Sequence, residues 1–175
     1  MDPKLLSQVV MSTTRRAKAE QWVADWMTTA VATVGPRATL REVVDAFRAR
    51  HVRHVCVVDA NGRLVGIVAE RDVSRVLPSA WQEDLPVAQA RIMATSRAER
   101  FMTPTPLITH AQVPLAAARK RMLFCGIGAL PVLESGQLVG ILTSADCLRA
   151  RTQADPLHPP GAKSAPAHSL AGPGS

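Results

Sequence analysis

Residues 66–72 read GIVAERD, and residues 140–146 read GILTSAD. Each stretch opens with glycine, continues with two aliphatic residues and ends with an aspartate. One copy indicates little, because many junctions between a strand and a helix look like this. Two copies in a chain of 175 residues raise the question whether the sequence around them is also duplicated.

The two copies align well beyond these motifs. When the chain is shifted by 75 residues, residues 27–28 fall on residues 102–103. The second copy lacks one residue at the turn before its motif, and from there a shift of 74 places Asp72 on Asp146. The duplication therefore covers two complete units.

Both units contain the same order of predicted elements. An extended piece (31–34 and 106–109) precedes a helix (39–50 and 113–124), then a β-hairpin, then a short helix after the aspartate. The pattern β-α-β-β-α, present twice, predicts an α+β fold. One unit has a sheet face that it cannot cover alone, so we expect the two repeats to pack together.

Local signals in the first unit support this order. An apolar stripe with i, i+3, i+4, i+7 spacing begins at Leu40, as in an amphipathic helix. Thr39 followed by Glu42 is typical of a capping box. Asn61-Gly62 between two apolar runs is a strong hairpin signal.

Two stretches carry a family resemblance, namely HVRHVCVVDANGRLVGIVAERD (51–72) and GIGALPVLESGQLVGILTSAD (126–146). In tandem they resemble a CBS domain pair, and the match extends over about 23–151. The resemblance implies two repeats packed with pseudo-two-fold symmetry.

The chain divides into five parts on this basis. The repeats occupy 23–77 and 97–151, and 78–96 is a linker with a helix. Residues 1–22 form a basic extension with a predicted helix. Residues 152–175 are rich in Pro, Gly, Ala and Ser, which predicts a disordered tail.

The second motif has the side chains for binding a sugar phosphate. The strand ends near Thr143, Ser144 can cap the next helix, and Asp146 falls in its first turn. Backbone N–H groups at a helix start bind phosphate, and a hydroxyl can donate to it. A carboxylate accepts hydrogen bonds from ribose hydroxyls. No catalytic group is needed for such recognition.

In the CBS family this motif binds an adenine nucleotide, with the Asp on the ribose, a hydroxyl and basic residues on phosphate, and the first strand of the partner repeat around the base. The resemblance therefore implies a set of ligand-binding candidates in the two repeats: Asp72, Asp146, Thr143, Thr28, Ala32, Thr103 and Leu107.

The two copies depart from the family pattern in opposite ways. The first has Ala69 in place of the hydroxyl but supplies three basic residues, Arg53, His54 and Arg71. The second keeps Thr143 but has small residues opposite them, Gly128, Ala129 and Ala145. We expect two unequal sites, with the first favouring more highly charged phosphates. The alternative is that each Asp only caps its helix.

The resemblance implies a non-catalytic regulator that binds AMP, ADP or ATP between the repeats and signals to a partner protein. S-adenosylmethionine and NAD rank below these ligands, and no metal is expected apart from Mg bound to a nucleotide. Exposed apolar helix faces predict a homodimer. The alternative is a nucleic-acid-associated or scaffolding dimer that uses basic residues 1–22, since the net charge is +7.

The sequence gives no support for an enzyme, a membrane-spanning protein or a metal site. No Walker loop, nucleophile elbow or paired-carboxylate motif indicates an enzyme. No apolar run is long enough to cross a membrane, so we expect a cytoplasmic protein. His51 and His54 lack further ligands for a metal site. The three cysteines, Cys56, Cys125 and Cys147, have apolar neighbours and are interpreted as small buried hydrophobes.

Overall fold

The structure, a computed structural model, describes residues 20–153. Its five helices are α1 (Leu40–Arg50), α2 (Glu70–Val76), α3 (Val87–Thr95), α4 (Leu115–Cys125) and α5 (Ser144–Gln153). Its strands are β1 (Thr33–Val34), β2 (His54–Val58), β3 (Leu64–Ala69), β4 (Thr103–Pro104), β5 (Ala129–Glu134) and β6 (Gln137–Thr143). The helix predicted within 1–22 and the tail predicted for 152–175 lie almost entirely outside the described residues.

The strands form two small sheets. In the first, of order β1-β2-β3-β4, β1 is parallel to β2 and the other pairs are antiparallel. In the second, β5 pairs with β6, and single bridges from Thr109 and Thr28 lie at its two edges. The strand predicted at 106–109 is thus reduced to one bridging residue, and that at 31–34 is shortened to two.

Helix α1 begins and packs as its sequence predicts. The backbone N–H of Glu42 donates to Thr39 Oγ1 at 3.2 Å, and the backbone N–H of Thr39 donates to Glu42 Oε2 at 2.6 Å. This reciprocal pair is the capping box. Leu40 and the other residues of the apolar stripe are buried in the core of the first repeat.

The entry segment of each repeat packs on the opposite repeat. The segment that leads into the second repeat forms β4, which pairs with Gly66 and Ile67 of β3. Thr28, which leads into the first repeat, exchanges backbone hydrogen bonds of 2.9 Å with Ile141 of β6. The repeats are therefore joined by two crossed connections.

The crossed connections explain why each motif begins with glycine. The side chain of Met27 lies directly against Gly140, and that of Met102 against Gly66. A Cβ at Gly140 would lie 2.7 Å from Met27 Sδ, closer than van der Waals contact permits. Glycine thus leaves room for the methionine of the opposite repeat.

A small apolar cluster lies between the repeats. It joins Cys56 of β2 to Ala129 of β5 and Ile141 of β6, with Ile67 and Leu138 packed against it. Because the cluster draws on both sheets, neither repeat is complete without the other. The predicted α+β fold of two packed repeats is confirmed.

The interpretation of the cysteines was wrong at one position. Cys56 and Cys147 are buried, and burial raises the pKa of the Cys56 thiol to about 12. Cys125 is exposed at the end of α4. The core-facing stripe of α4 is Leu115, Ala118 and Met122, which turns Cys125 towards solvent despite its apolar neighbours.

Candidate ligand-binding cleft between the repeats

A cleft of about 490 Å³ opens between the repeats. The first repeat lines it with its entry segment, with the connection from α1 to β2 and with the end of β3. The second lines it mainly with the end of β6 and the start of α5. The lining residues are Thr28, 30–32, 51–54, 69–71, Gly128, Ile141, 143–146 and Arg149.

Asp146 is fixed at one side of the cleft by its own helix start. Its side chain is 2% exposed, and Oδ2 accepts hydrogen bonds from the backbone N–H of Thr143 at 2.7 Å and from Thr143 Oγ1 at 2.6 Å. Oδ1 accepts a hydrogen bond from Arg149. The carboxylate is therefore oriented and held next to a hydroxyl.

The expectation that Ser144 caps α5 was wrong. Thr143 occupies the capping position, because the backbone N–H of Asp146 points at Thr143 Oγ1 at 3.4 Å. Ser144 instead donates its hydroxyl to the carbonyl of Gly128 at 3.3 Å. This contact ties the start of α5 to Gly128, the residue directly before β5.

Asp72 makes the equivalent cap in the first repeat but has a different environment. Its Oδ2 accepts a hydrogen bond from the backbone N–H of Ala69 at 2.9 Å, and Arg75 lies 3.6 Å from Oδ1. Asp72 is not among the residues that line the cleft in the described part of the chain. The capping role considered from the sequence is thus present at both aspartates.

The structure groups the basic residues differently from the sequence-based expectation. Arg53, His54 and Arg71 were expected around Asp72, yet all three line the cleft that contains Asp146. His54, at the start of β2, packs on Gly128 of the second repeat, which brings this end of the first repeat to the cleft that contains Asp146. The hydroxyl and carboxylate of one repeat and the basic residues of the other therefore share one cleft.

Gly128 lets His54 enter this shared space. A Cβ at Gly128 would lie 3.3 Å from His54 Nε2 and Cε1, so the imidazole packs on the glycine backbone. The small residue of the second repeat thus accommodates the large side chain of the first.

The candidate residues in the segments that lead into the two repeats also differ in position. Thr28 and the buried Ala32 line the cleft. Thr103 pairs with Ile67 at a sheet edge, and Leu107 is 39% exposed; neither lines the cleft. The sequence offered Thr103 and Leu107 as candidates for one of two sites, and like Asp72 they lie outside this cleft.

Sequence reasoning missed two charged residues of the cleft, Glu70 and Arg149. Arg149 follows Asp146 by three residues on α5, and this spacing places two side chains on the same helix face. That signal was available in the sequence. Glu70 carried no such signal, because its partner Arg53 is distant in the chain.

His54 is held towards its neutral form. Burial lowers its pKa below the usual 6.5, and the nearby charges of Arg53 and Arg71 lower it further, whereas Asp72 and Glu70 act in the opposite direction. The unfolded chain therefore binds a proton at His54 more readily than the folded chain does.

This depressed pKa predicts a loss of stability on acidification. Above pH 6.5 His54 is neutral in both states, and below it the unfolded state gains the proton first, so stability falls as the pH drops towards the folded pKa. We expect His54→Gln to lose less stability than the wild type between about pH 7 and 5. Urea unfolding at several pH values measures this, and equal pH slopes for the two proteins would contradict it.

His51 and His54 both line the cleft. Within residues 20–153, however, no three His, Cys, Asp or Glu side chains are grouped so as to hold a metal ion. No helix of that part of the chain is long and apolar enough to span a membrane.

The family model described as "CBS domain" matches residues 23–79 and 98–152, which correspond to the two repeats of the structure. The chain belongs to the CBS-domain family. The resemblance drawn from residues 51–72 and 126–146 is thereby confirmed.

Two curated relatives differ in how much of their length this chain covers. A CBS domain-containing protein of Dictyostelium discoideum is 26% identical over 72% of this chain and 88% of its own length. A homoserine O-acetyltransferase of Methanococcoides burtonii is 34% identical over 73% of this chain, which spans only 23% of that protein. The second name therefore does not make this CBS pair an enzyme.

Solved structures share the CBS-pair fold. CBSX2 of Arabidopsis thaliana, determined in complex with AMP, is 28% identical over 75% of this chain and 96% of its own, with a TM-score of 0.62. An acetoin utilization protein (AcuB) of Vibrio cholerae is 28% identical over 77% of this chain and 92% of its own, with a TM-score of 0.64.

Proposed function

We propose that this CBS pair is a non-catalytic, cytoplasmic regulatory module. It binds an adenine nucleotide in the cleft between its repeats and signals to a partner protein. AMP, ADP and ATP are the candidate ligands, ahead of S-adenosylmethionine and NAD.

One observation carries the proposal. The hydroxyl and carboxylate of Thr143 and Asp146 line the same cleft as Arg53, His54 and Arg71. A carboxylate suits ribose hydroxyls, and guanidinium groups suit phosphate oxygens. The second repeat contributes this hydroxyl and carboxylate and the first contributes these three basic residues, so the proposed site depends on the contact between repeats.

The size and the walls of the cleft support the same class of ligand. A volume of about 490 Å³ falls in the range of small-molecule sites. Val31, Ala32 and Ile141 provide apolar surface for a base. The AMP complex of CBSX2 adds support from a protein that is 28% identical.

Calorimetric titration with AMP, ADP and ATP tests the proposal. We expect saturable binding of at least one nucleotide and a rise in melting temperature, since ligand at 100 Kd adds about 2.7 kcal/mol to the free energy of unfolding. No heat and an unmoved melting temperature with every nucleotide would leave the scaffold alternative. Salt-dependent binding to DNA that is lost on deletion of residues 1–22 would then favour a nucleic-acid role.

We further propose that the module is a homodimer that uses the helices of its second repeat. Leu123 and Phe124 on α4 and Leu148 on α5 are 76%, 91% and 60% exposed. The aligned residues of the first repeat are Arg48, Ala49 and Ser74. Arg48 and Ser74 instead hydrogen-bond to Trp81 of the linker, so the linker contacts the corresponding face there.

Phe124→Glu tests this face. We expect it to weaken dimerisation by at least about tenfold, because burying a Phe side chain contributes about 1.5–3 kcal/mol and a buried unpaired carboxylate adds a cost. Sedimentation velocity or light scattering across tens of micromolar measures the change. Ala49→Glu, at the aligned exposed position of α1, is the control. A wild type that is monomeric at those concentrations would refute the dimer.

A further inference from the structure

An ion pair lies at the side of the cleft that carries the basic residues. Arg53 Nε donates to Glu70 Oε2 at 3.2 Å, and their side chains are 83% and 47% exposed. Glu70 is the first residue of α2, directly after β3. The aligned residue of the second repeat is the neutral Ser144, which also lines the cleft.

This pair changes the charge that the cleft offers to an anion. Three arginines and two carboxylates line it, namely Arg53, Arg71, Arg149, Glu70 and Asp146. Glu70 engages Arg53, and Asp146 engages Arg149. Arg71 is the remaining arginine, and its nearest carboxylate is Asp72 at 4.0 Å, outside the cleft.

We infer that Glu70 sets the number of phosphates that the cleft accepts and favours a nucleoside monophosphate over a triphosphate. The inference rests on the proposed nucleotide site. A triphosphate brings about two more negative charges than a monophosphate, and the fixed carboxylate of Glu70 repels them. Glu70 also occupies the Arg53 guanidinium, which would otherwise be available to the additional phosphates.

The substitution Glu70→Gln separates this role from folding. It keeps the size and the hydrogen-bonding oxygen and removes only the charge. Because both side chains are exposed, their ion pair contributes little to stability, so the variant should fold. Its melting temperature checks this.

Affinities for AMP and ATP should be measured for the wild type and the variant at constant ionic strength, with EDTA to remove divalent ions. We expect the ratio of the ATP Kd to the AMP Kd to fall by roughly fivefold in Glu70→Gln, from the loss of one repulsive charge next to the added phosphates. Excess Mg²⁺, which neutralises part of the ATP charge, should reduce this change. Glu83→Gln, an exposed linker substitution outside the cleft, is the control.

The outcomes separate this inference from the proposed function. If nucleotides bind but Glu70→Gln leaves the ratio within twofold of the wild type, the role of Glu70 is refuted and the nucleotide site stands. If neither protein binds any nucleotide, both proposals fail.

Discussion

Asp146→Asn should weaken nucleotide binding by about 10- to 100-fold, whereas Asp72→Asn should leave the affinity within about twofold. A hydrogen bond to a charged group contributes about 1.5–3 kcal/mol, and Asp146 is the carboxylate held next to Thr143 inside the cleft. Asp72 caps the equivalent helix but does not line the cleft among the described residues.

The pair of substitutions is well matched. Each aspartate accepts a hydrogen bond from the backbone N–H three residues earlier, and the amide oxygen of asparagine can accept the same bond. Each also has an arginine three residues later. The backbone cap is therefore kept alike in the two variants, and Asp146 differs in lining the cleft and in accepting hydrogen bonds from Thr143 Oγ1 and Arg149.

Calorimetric titration of the best wild-type ligand into both variants measures this asymmetry, with melting temperatures as the check on folding. A strong loss in Asp72→Asn together with an intact Asp146→Asn would move the site to the other side of the pseudo-two-fold axis. Equal losses in both would indicate that each aspartate belongs to a functional site, in place of the two unequal sites that the sequence predicted.

The fold could be predicted from the sequence because its signals are local and occur twice. The capping box at Thr39, the stripe that begins at Leu40 and the hairpin turn at Asn61-Gly62 each depend on neighbours a few residues away. The duplication then repeats the order of elements and strengthens every assignment. The same local reasoning failed at Cys125, where the orientation of α4 and not the apolar neighbourhood decides exposure.

The composition of the cleft could not be predicted in the same way. Arg53 and His54 belong to the same repeat as Asp72. No local sequence signal indicates that they line the cleft together with Asp146. That juxtaposition arises from the crossed entry segments, in which Thr28 hydrogen-bonds to Ile141 and Thr103 is paired with Ile67 in the sheet. Pairing between distant segments depends on the packing of the whole molecule, so each repeat taken alone suggested an incomplete site.

The crossed segments also lead to a prediction about stability. Gly140→Ala should lower the free energy of unfolding by about 1–3 kcal/mol, since the added methyl would lie 2.7 Å from Met27 Sδ and 3.3 Å from the Thr28 carbonyl. The methionine side chain can yield, but the backbone at Thr28 is held by its hydrogen bonds to Ile141. Chemical denaturation measures the loss.

Gly35→Ala is the control, because in residues 20–153 no atom beyond Gly35 and its two chain neighbours lies within 4 Å of a Cβ built there. It should be neutral or slightly stabilising, by up to about 1 kcal/mol, through the lower entropy of the unfolded chain.

A double-mutant cycle identifies the contact responsible. Met27→Ala removes the side chain that crosses Gly140, so Gly140→Ala should cost less in that background, with a coupling of about 0.5–3 kcal/mol. The contact with the Thr28 carbonyl remains, so the relief should be partial. If the two losses simply add, the glycine is not needed to make room for the methionine. The crossed entry segments would then not explain why GILTSAD begins with glycine. If they couple, the glycine of each motif reflects the connection between repeats, whatever ligand the cleft binds.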